Sequence, residues 1–180
     1  MAREIEKKFR LSEEQVAEIE SRLVRLGAVP DGSQTEENLI YSSESLQAQS
    51  SVIRIRRTES RSTLTYKRRM SSDNEMKEHI EYESEIGSPD EAGKILLEMG
   101  LRLTIVYEKR RRIWTFSGSE IVLDELPFGC FLEIEGEPDS IREAEIALDA
   151  LELTYEPLTY PLLTIEFGEK KGDVIEARFR

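Results

Sequence analysis

Residues 4–9 of this 180-residue chain read Glu4-Ile5-Glu6-Lys7-Lys8-Phe9, and their alternation sets how the rest is read. Strand side chains point to opposite faces in turn, so Glu4, Glu6 and Lys8 share one face while Ile5 and Phe9 share the other. One side can pack on a core; the other is ionised throughout. The chain then passes Ser12 into Val16, Ile19, Leu23 and Leu26 at helical spacing, stopped by Gly27, which predicts a helix near 13–26.

This strand-then-helix module recurs twice. Glu81-Tyr82-Glu83-Ser84-Glu85-Ile86 leads through Ser88-Pro89 into a helix near 90–99 with Ile95, Leu96 and Met99, stopped by Gly100; proline suits the first helical position. Phe131-Leu132-Glu133-Ile134-Glu135 leads through Ser140 into a helix near 141–151, expected to bury Ile141, Ala144, Leu148 and Leu151. Between the modules the sequence reads as strand near 38–42, 51–59, 62–70, 104–116 and 120–125, with turns at Glu59-Ser60-Arg61 and Ser117-Gly118-Ser119. Many antiparallel strands and few helices make an α+β domain. Residues 71–78 read as a loop; one domain is expected over 1–168, followed by a polar, fraying tail at 169–180.

Lys and Arg number 25 against 37 Asp and Glu, a net charge of −12. That balance disfavours a general nucleic-acid binder, which needs an excess of cations along the duplex. Yet positive charge is concentrated in Arg54-Ile55-Arg56-Arg57, Lys67-Arg68-Arg69 and Lys109-Arg110-Arg111-Arg112. No apolar run approaches the roughly 20 residues that span a bilayer, and Met1-Ala2-Arg3-Glu4 enters charged sequence directly, so a cytoplasmic protein with no membrane partner is expected. The single cysteine, Cys130, and single histidine, His79, exclude a Cys/His zinc site. Any metal would be held by oxygen, which points to Mg²⁺ or Mn²⁺. His79 is expected to be exposed, Cys130 to be a small buried side chain, and Trp114 with Phe116 to belong to the core.

The remaining strands split as the first does. Arg54 and Arg56 oppose Ile53 and Ile55; Thr65, Lys67 and Arg69 oppose Leu64 and Tyr66; Glu81, Glu83 and Glu85 oppose Ile80 and Tyr82. Asp124 opposes Ile121 and Leu123, and Glu133 with Glu135 opposes Leu132 and Ile134. In 104–116 the choice stays open between a face with Lys109 and Arg111 and one with Arg110 and Arg112. A one-sided sheet with a solvated face is the plain explanation of such alternation. Against it stands the residue choice, since these positions are nearly all ionised and both signs recur. Like charges two residues apart lie about 7 Å from each other, so Glu4/Glu6, Glu83/Glu85 and Glu133/Glu135 call for a neutralising cation. The Arg and Lys positions call for an anion, and guanidinium suits bidentate phosphate contacts. If the sheet curls with its charged faces inward, both sets surround one channel, and a polyphosphate linked through Mg²⁺ or Mn²⁺ would use both.

These residues resemble the CYTH superfamily, the triphosphate tunnel metalloenzymes, which includes thiamine triphosphatases, inorganic tripolyphosphatases and class IV adenylyl cyclases. The signature Glu-x-Glu-x-Lys stands as Glu4-Ile5-Glu6-Lys7-Lys8. Ile53-Arg54-Ile55-Arg56, Leu64-Thr65-Tyr66-Lys67, Glu81-Tyr82-Glu83-Ser84-Glu85, Lys109-Arg110-Arg111, Val122-Leu123-Asp124 and Phe131-Leu132-Glu133-Ile134-Glu135 follow in family order. The resemblance implies an eight-stranded antiparallel β-barrel, a tunnel with helices packed outside. It implies metal ligation by Glu4, Glu6, Glu133 and Glu135, with Asp124 and Glu83 or Glu85 assisting. Lys8, Arg54, Arg56, Lys67, Lys109 and Arg111 would hold the triphosphate, and Glu4, Glu6, Lys8 and Asp124 would carry the chemistry. Some members add a basic residue near the C-terminus, and Thr159-Tyr160-Pro161 offers none. Relatives often dimerise, so a homodimer is in keeping.

The implied function is metal-dependent hydrolysis of a small triphosphate: inorganic tripolyphosphate, thiamine triphosphate or a nucleoside triphosphate. The alternative is a class IV adenylyl cyclase making cyclic AMP and pyrophosphate from ATP. Such cyclases open with a His-Phe pair ahead of Glu-x-Glu-x-Lys; here Met1-Ala2-Arg3 precedes Glu4, which favours the hydrolase. A non-catalytic polyphosphate binder would keep the cations and lose the carboxylates, whereas this sequence keeps both.

Overall fold

The structure is a computed structural model and describes residues 2–70 and 76–180. Eight strands, Ala2–Leu11 (β1), Val29–Ser42 (β2), Ser51–Arg57 (β3), Ser62–Arg69 (β4), Lys77–Glu85 (β5), Arg102–Phe116 (β6), Ser119–Leu126 (β7) and Gly129–Glu135 (β8), form a ring. The order is β6-β2-β3-β4-β5-β1-β8-β7 and back to β6, antiparallel at each step. Closure leaves no bare edge among these strands. The expected eight-stranded antiparallel tunnel is therefore the fold.

Register decides what faces inward. Directly opposed residues point to the same side, and Lys8 lies opposite Glu133, Lys67 opposite Glu81 and Arg111 opposite Asp124. The ionised faces thus share the interior. The outer faces carry the apolar residues. Ile5, Phe9, Leu11, Ile121, Leu123, Leu132 and Ile134 pack against Ile19 and Leu23 of helix Glu13–Arg25 (α1) and against Ile141, Ala144 and Leu148 of a later helix, Pro138–Leu148. Each large side chain so buried contributes about 1.5–3 kcal/mol. Ser12 caps α1 in a capping box with Gln15. After the short helix Glu44–Ala48 (α2), helix Pro89–Glu98 (α3), capped by Ser88, sets Leu96 onto Leu39, Tyr41, Ile55 and Val106. Pro138–Leu148 is α4.

One end of the barrel is filled differently. Ile40, Ile105, Tyr107, Leu126 and Phe131 stand in the inward register, and Tyr160 and Leu163 of helix Tyr160–Phe167 (α5) pack onto them. The helix is apolar at all but Thr164 and the exposed Glu166, which suits such a plug. It enters through the short strand Thr154–Tyr155 (β9), paired to β1. It leaves at Gly168, where an added Cβ would lie 2.5 Å from the Thr164 carbonyl oxygen and 2.8 Å from that of Glu176.

Several expectations change. β2 begins at Val29 rather than 38, because pairing with β6 from Val29 to Ser42 orders a polar segment containing Pro30 and Gly32. The tail does not fray: Glu169–Lys171 (β10) and Val174–Ala177 (β11) form a hairpin, and β11 runs parallel to β6 at Ile105–Tyr107. Of the loop expected at 71–78, residues 71–75 lie outside the described residues, while Lys77 and Glu78 already belong to β5. Leu26, Ile95, Met99 and Leu151 are exposed, since only one stripe of each helix reaches the barrel. His79 is buried, at 3% exposure, because β1 covers the start of β5. Cys130 is half-buried. Among the described residues, no helix is long and apolar enough to cross a membrane.

Candidate active site

The ambiguous strand β6 resolves with Lys109 and Arg111 inward; Arg110 and Arg112 lie outside, paired with Glu125 and Glu20. Arg111 grips Asp124 with two donors, Nε to Oδ1 at 2.8 Å and Nη2 to Oδ2 at 2.6 Å, and reaches Glu133 at 2.7 Å. Lys109 sits between Asp124, 3.3 Å away, and Glu36, 3.4 Å away. Arg56 lies 3.6 Å from the same Glu36, whose carboxylate also accepts from Asn38. Glu36 is 0% exposed, and against that burial Lys109, Arg56 and Arg111 hold it far below the usual carboxylate range. Sequence reasoning missed Glu36, because its stretch of β2 shows no apolar alternation to mark an inward face.

Across the tunnel, Arg54 meets Glu81 at 3.3 Å and Glu83 at 3.5 Å, and Lys67 meets Glu4 at 2.5 Å and Glu81 at 3.2 Å. Against burial, Lys67 and Arg54 bring Glu81 down to about 2. Among the described residues, Arg54 Nε and Arg56 Nε are buried donors without a hydrogen-bond partner. Glu83 accepts from Thr65, and Glu85 is exposed at the end of β5.

Glu4, Glu6 and Glu135 form the carboxylate side. Burial, with Glu6 and Glu135 nearby, raises Glu4 to about 8 despite Lys67, and burial with Glu120 and Glu6 raises Glu135 to about 7. Glu6 is held low, against burial and Glu133, by Lys67, Lys8 and Lys77. Burial and mutual repulsion raise Glu4 even with Lys67 at 2.5 Å, so the cluster can take further positive charge, and an all-oxygen set fits a hard divalent ion. In this arrangement, though, no three described His, Cys, Asp or Glu residues stand ready as a ligand group. Lysine and arginine hold most of the carboxylates: Glu133 is taken by Lys8 and Arg111, and Asp124 by Arg111, Lys109 and Tyr160.

The plugged end holds the deepest cations. The Lys8 ammonium lies 3.2 Å from Glu133, 3.2 Å from the Leu158 carbonyl and 3.6 Å from the Tyr160 ring centroid. Tyr160 donates its hydroxyl to Asp124 at 2.8 Å, and its ring also faces Lys109.

A closed antiparallel ring with opposed cations and carboxylates inside defines a charged tunnel of the CYTH kind. The CYTH domain family model matches residues 2–164, and the chain belongs to that family. A Pyrococcus horikoshii OT3 protein superposes with TM-score 0.77 at 27% identity, covering 89% of this chain and 98% of that one. A Hippeastrum protein, described as an adenylyl cyclase candidate with a dominant triphosphatase activity, superposes with TM-score 0.69 at 20% identity over 94% and 98%. An adenylate cyclase candidate of Vibrio parahaemolyticus does so with TM-score 0.66 at 19% identity over 87% and 94%. No curated protein matches the chain significantly.

Proposed function

We propose that the chain is a metal-dependent hydrolase of small triphosphates, with inorganic tripolyphosphate, thiamine triphosphate or a nucleoside triphosphate as substrate. The observation that carries this reading is the convergence of Arg54, Arg56 and Arg111 with Lys8, Lys67 and Lys109 inside one ring, where Arg54 Nε and Arg56 Nε are buried without a hydrogen bond, the latter 3.6 Å from Glu36. Buried donors without acceptors are costly unless a ligand satisfies them. A phosphate chain satisfies several at once, and Arg54, Arg56 and Arg111 offer the planar forks that suit its oxygens.

Glu4, Glu6 and Glu135 would hold Mg²⁺ or Mn²⁺, with Glu133 and Asp124 joining as their lysine and arginine partners turn to phosphate. A divalent cation supplies Lewis acidity and charge neutralisation at phosphate oxygens. The chain's own residues do the rest. The guanidinium and ammonium groups orient the phosphates and stabilise charge on the transferred group. Asp124 and Glu36 fix Lys109 and Arg111, and Tyr160 excludes water from the plugged end. A narrow, walled site suits a small molecule better than a nucleic-acid duplex or a membrane, and the lone Cys130 suits a cytoplasmic setting.

The test is to incubate the protein with tripolyphosphate, thiamine triphosphate and ATP separately, with Mg²⁺ or Mn²⁺, and to assay phosphate and cyclic AMP. Phosphate released from one of them supports the hydrolase and names its substrate. Cyclic AMP with pyrophosphate would replace it with the cyclase; neither product would leave a polyphosphate binder.

A further inference from the structure

Lys77, the first residue of β5, enters the site as described so far only as one of the cations that hold Glu6 low. It stands opposite Glu6 of β1, so its side chain enters the tunnel, and it is 1% exposed. Among the described residues its ammonium makes one hydrogen bond, 3.2 Å to the Leu158 carbonyl oxygen, and one looser ion pair, 3.7 Å to Glu6. The Leu158 oxygen is also the acceptor for Lys8, at 3.2 Å. Two buried ammonium groups therefore converge on one uncharged oxygen. An ammonium has three donors, and like charges brought this close repel, more strongly inside a protein than in water. Glu133, 3.2 Å from Lys8, and Glu6, 3.7 Å from Lys77, partly offset this charge, but among the described residues no carboxylate ion-pairs with both lysines. Two residues along the same inward face, His79 is 3% exposed and its Nδ1 has no hydrogen-bond partner among the described residues. A single strand thus brings a second under-satisfied polar group to the same wall.

We propose that Lys77, with His79 beside it, is a further triphosphate-binding residue, which with Lys8 holds the phosphate group lying deepest in the tunnel, against the plug of α5. The proposal rests on the reading of the tunnel as a triphosphate site. It implies that the substrate enters phosphate-first, because exposure grows away from the plug: Lys8 and Lys77 are 1% exposed at their side chains, Lys67 is 21% and Glu83 31%. A phosphate oxygen placed between Lys8 and Lys77 would take over the hydrogen bonds now shared at Leu158.

The experiment is calorimetric titration of inorganic tripolyphosphate, in EDTA and again in Mg²⁺, into the wild type and into Lys77→Gln, Lys77→Arg and Arg56→Ala, with a thermal melt of each. Lys77→Gln keeps a side-chain donor for Leu158 and removes the charge, so it is expected to melt near the wild type yet bind tripolyphosphate at least tenfold more weakly. Lys77→Arg is expected to recover most of that loss. If Lys77→Gln does not fold, Lys77→Met, which also removes the charge repulsion with Lys8, is judged by the same tenfold criterion. Binding within twofold of the wild type in a folded neutral variant, while Arg56→Ala is weakened, would overturn the role of Lys77 and leave the triphosphate site standing. A wild type that binds no tripolyphosphate under either condition would overturn both.

Discussion

The Lys8 ammonium lies 3.6 Å from the centre of the Tyr160 ring, and the hydroxyl of that ring donates to Asp124 at 2.8 Å. One side chain of α5 thereby ties a cation of β1 to a carboxylate of β7 and closes the tunnel between them. Burial and the neighbouring Asp124 keep the phenol protonated, so it remains a donor.

Tyr160→Phe keeps the ring under Lys8 and loses one donor to an Asp124 still held by Arg111 and Lys109, which should cost about 1 kcal/mol. Tyr160→Ala empties the plug and should cost about 3–5 kcal/mol. Urea denaturation ranks the two; a Phe variant as unstable as the Ala variant would contradict the role given to the ring.

Glu36→Gln leaves Lys109, Arg56 and Arg111 sharing one fewer buried carboxylate. Breaking a buried ionic cluster from one side should cost about 3–5 kcal/mol. Tripolyphosphate supplies the missing negative charge, so it should raise the melting temperature of this variant more than that of the wild type. Equal shifts in a thermal melt would show that Glu36 is not the resting counter-ion of the phosphate cations.

Stability of the metal-free chain should be lost toward both ends of the pH scale. Glu81, lowered to about 2, contributes stability that is present above its ordinary value of 4.5 and lost as pH falls toward 2. Glu36 acts in the same direction. Glu4 and Glu135, raised to about 8 and about 7, contribute stability present below 4.5 and lost as pH rises through 7 and 8. Melting in EDTA should therefore decline from pH 6 to pH 9, and Mg²⁺ or Mn²⁺ should lessen that decline. A melting temperature in EDTA that stays flat over this range would contradict the crowding of Glu4 and Glu135.

Glu4→Gln at pH 9 should melt no lower than the wild type without metal, since the ionised carboxylate is disfavoured there. Glu4→Gln combined with Glu6→Gln should nonetheless abolish metal-dependent phosphate release while circular dichroism shows the fold intact. Unchanged turnover would remove both from metal binding.

Much of the barrel was legible because a two-residue period survives in β1, β3, β5 and β8: ionised residues alternate with Ile, Leu, Phe and Tyr, and the parity of the chain does the sorting. In 104–116 parity failed, since Lys109-Arg110-Arg111-Arg112 is charged on both faces, and pairing of Arg111 with Asp124 in register had to choose. Glu36 was hidden in a polar stretch with no periodicity. His79 was misread as exposed because its burial comes from β1, more than seventy residues away in the chain. The plug was equally invisible: Tyr160-Pro161-Leu162-Leu163 reads as a short apolar run, with nothing local to say that it enters a barrel.

By itself, then, the sequence determined which side chains share a face, because backbone geometry fixes alternation residue by residue. Only the tertiary structure decided which face is inside, which carboxylates face cations and which face one another, and where the tunnel ends. Those depend on ring closure, strand register and the docking of α5, which join residues far apart in the chain and leave no local signature.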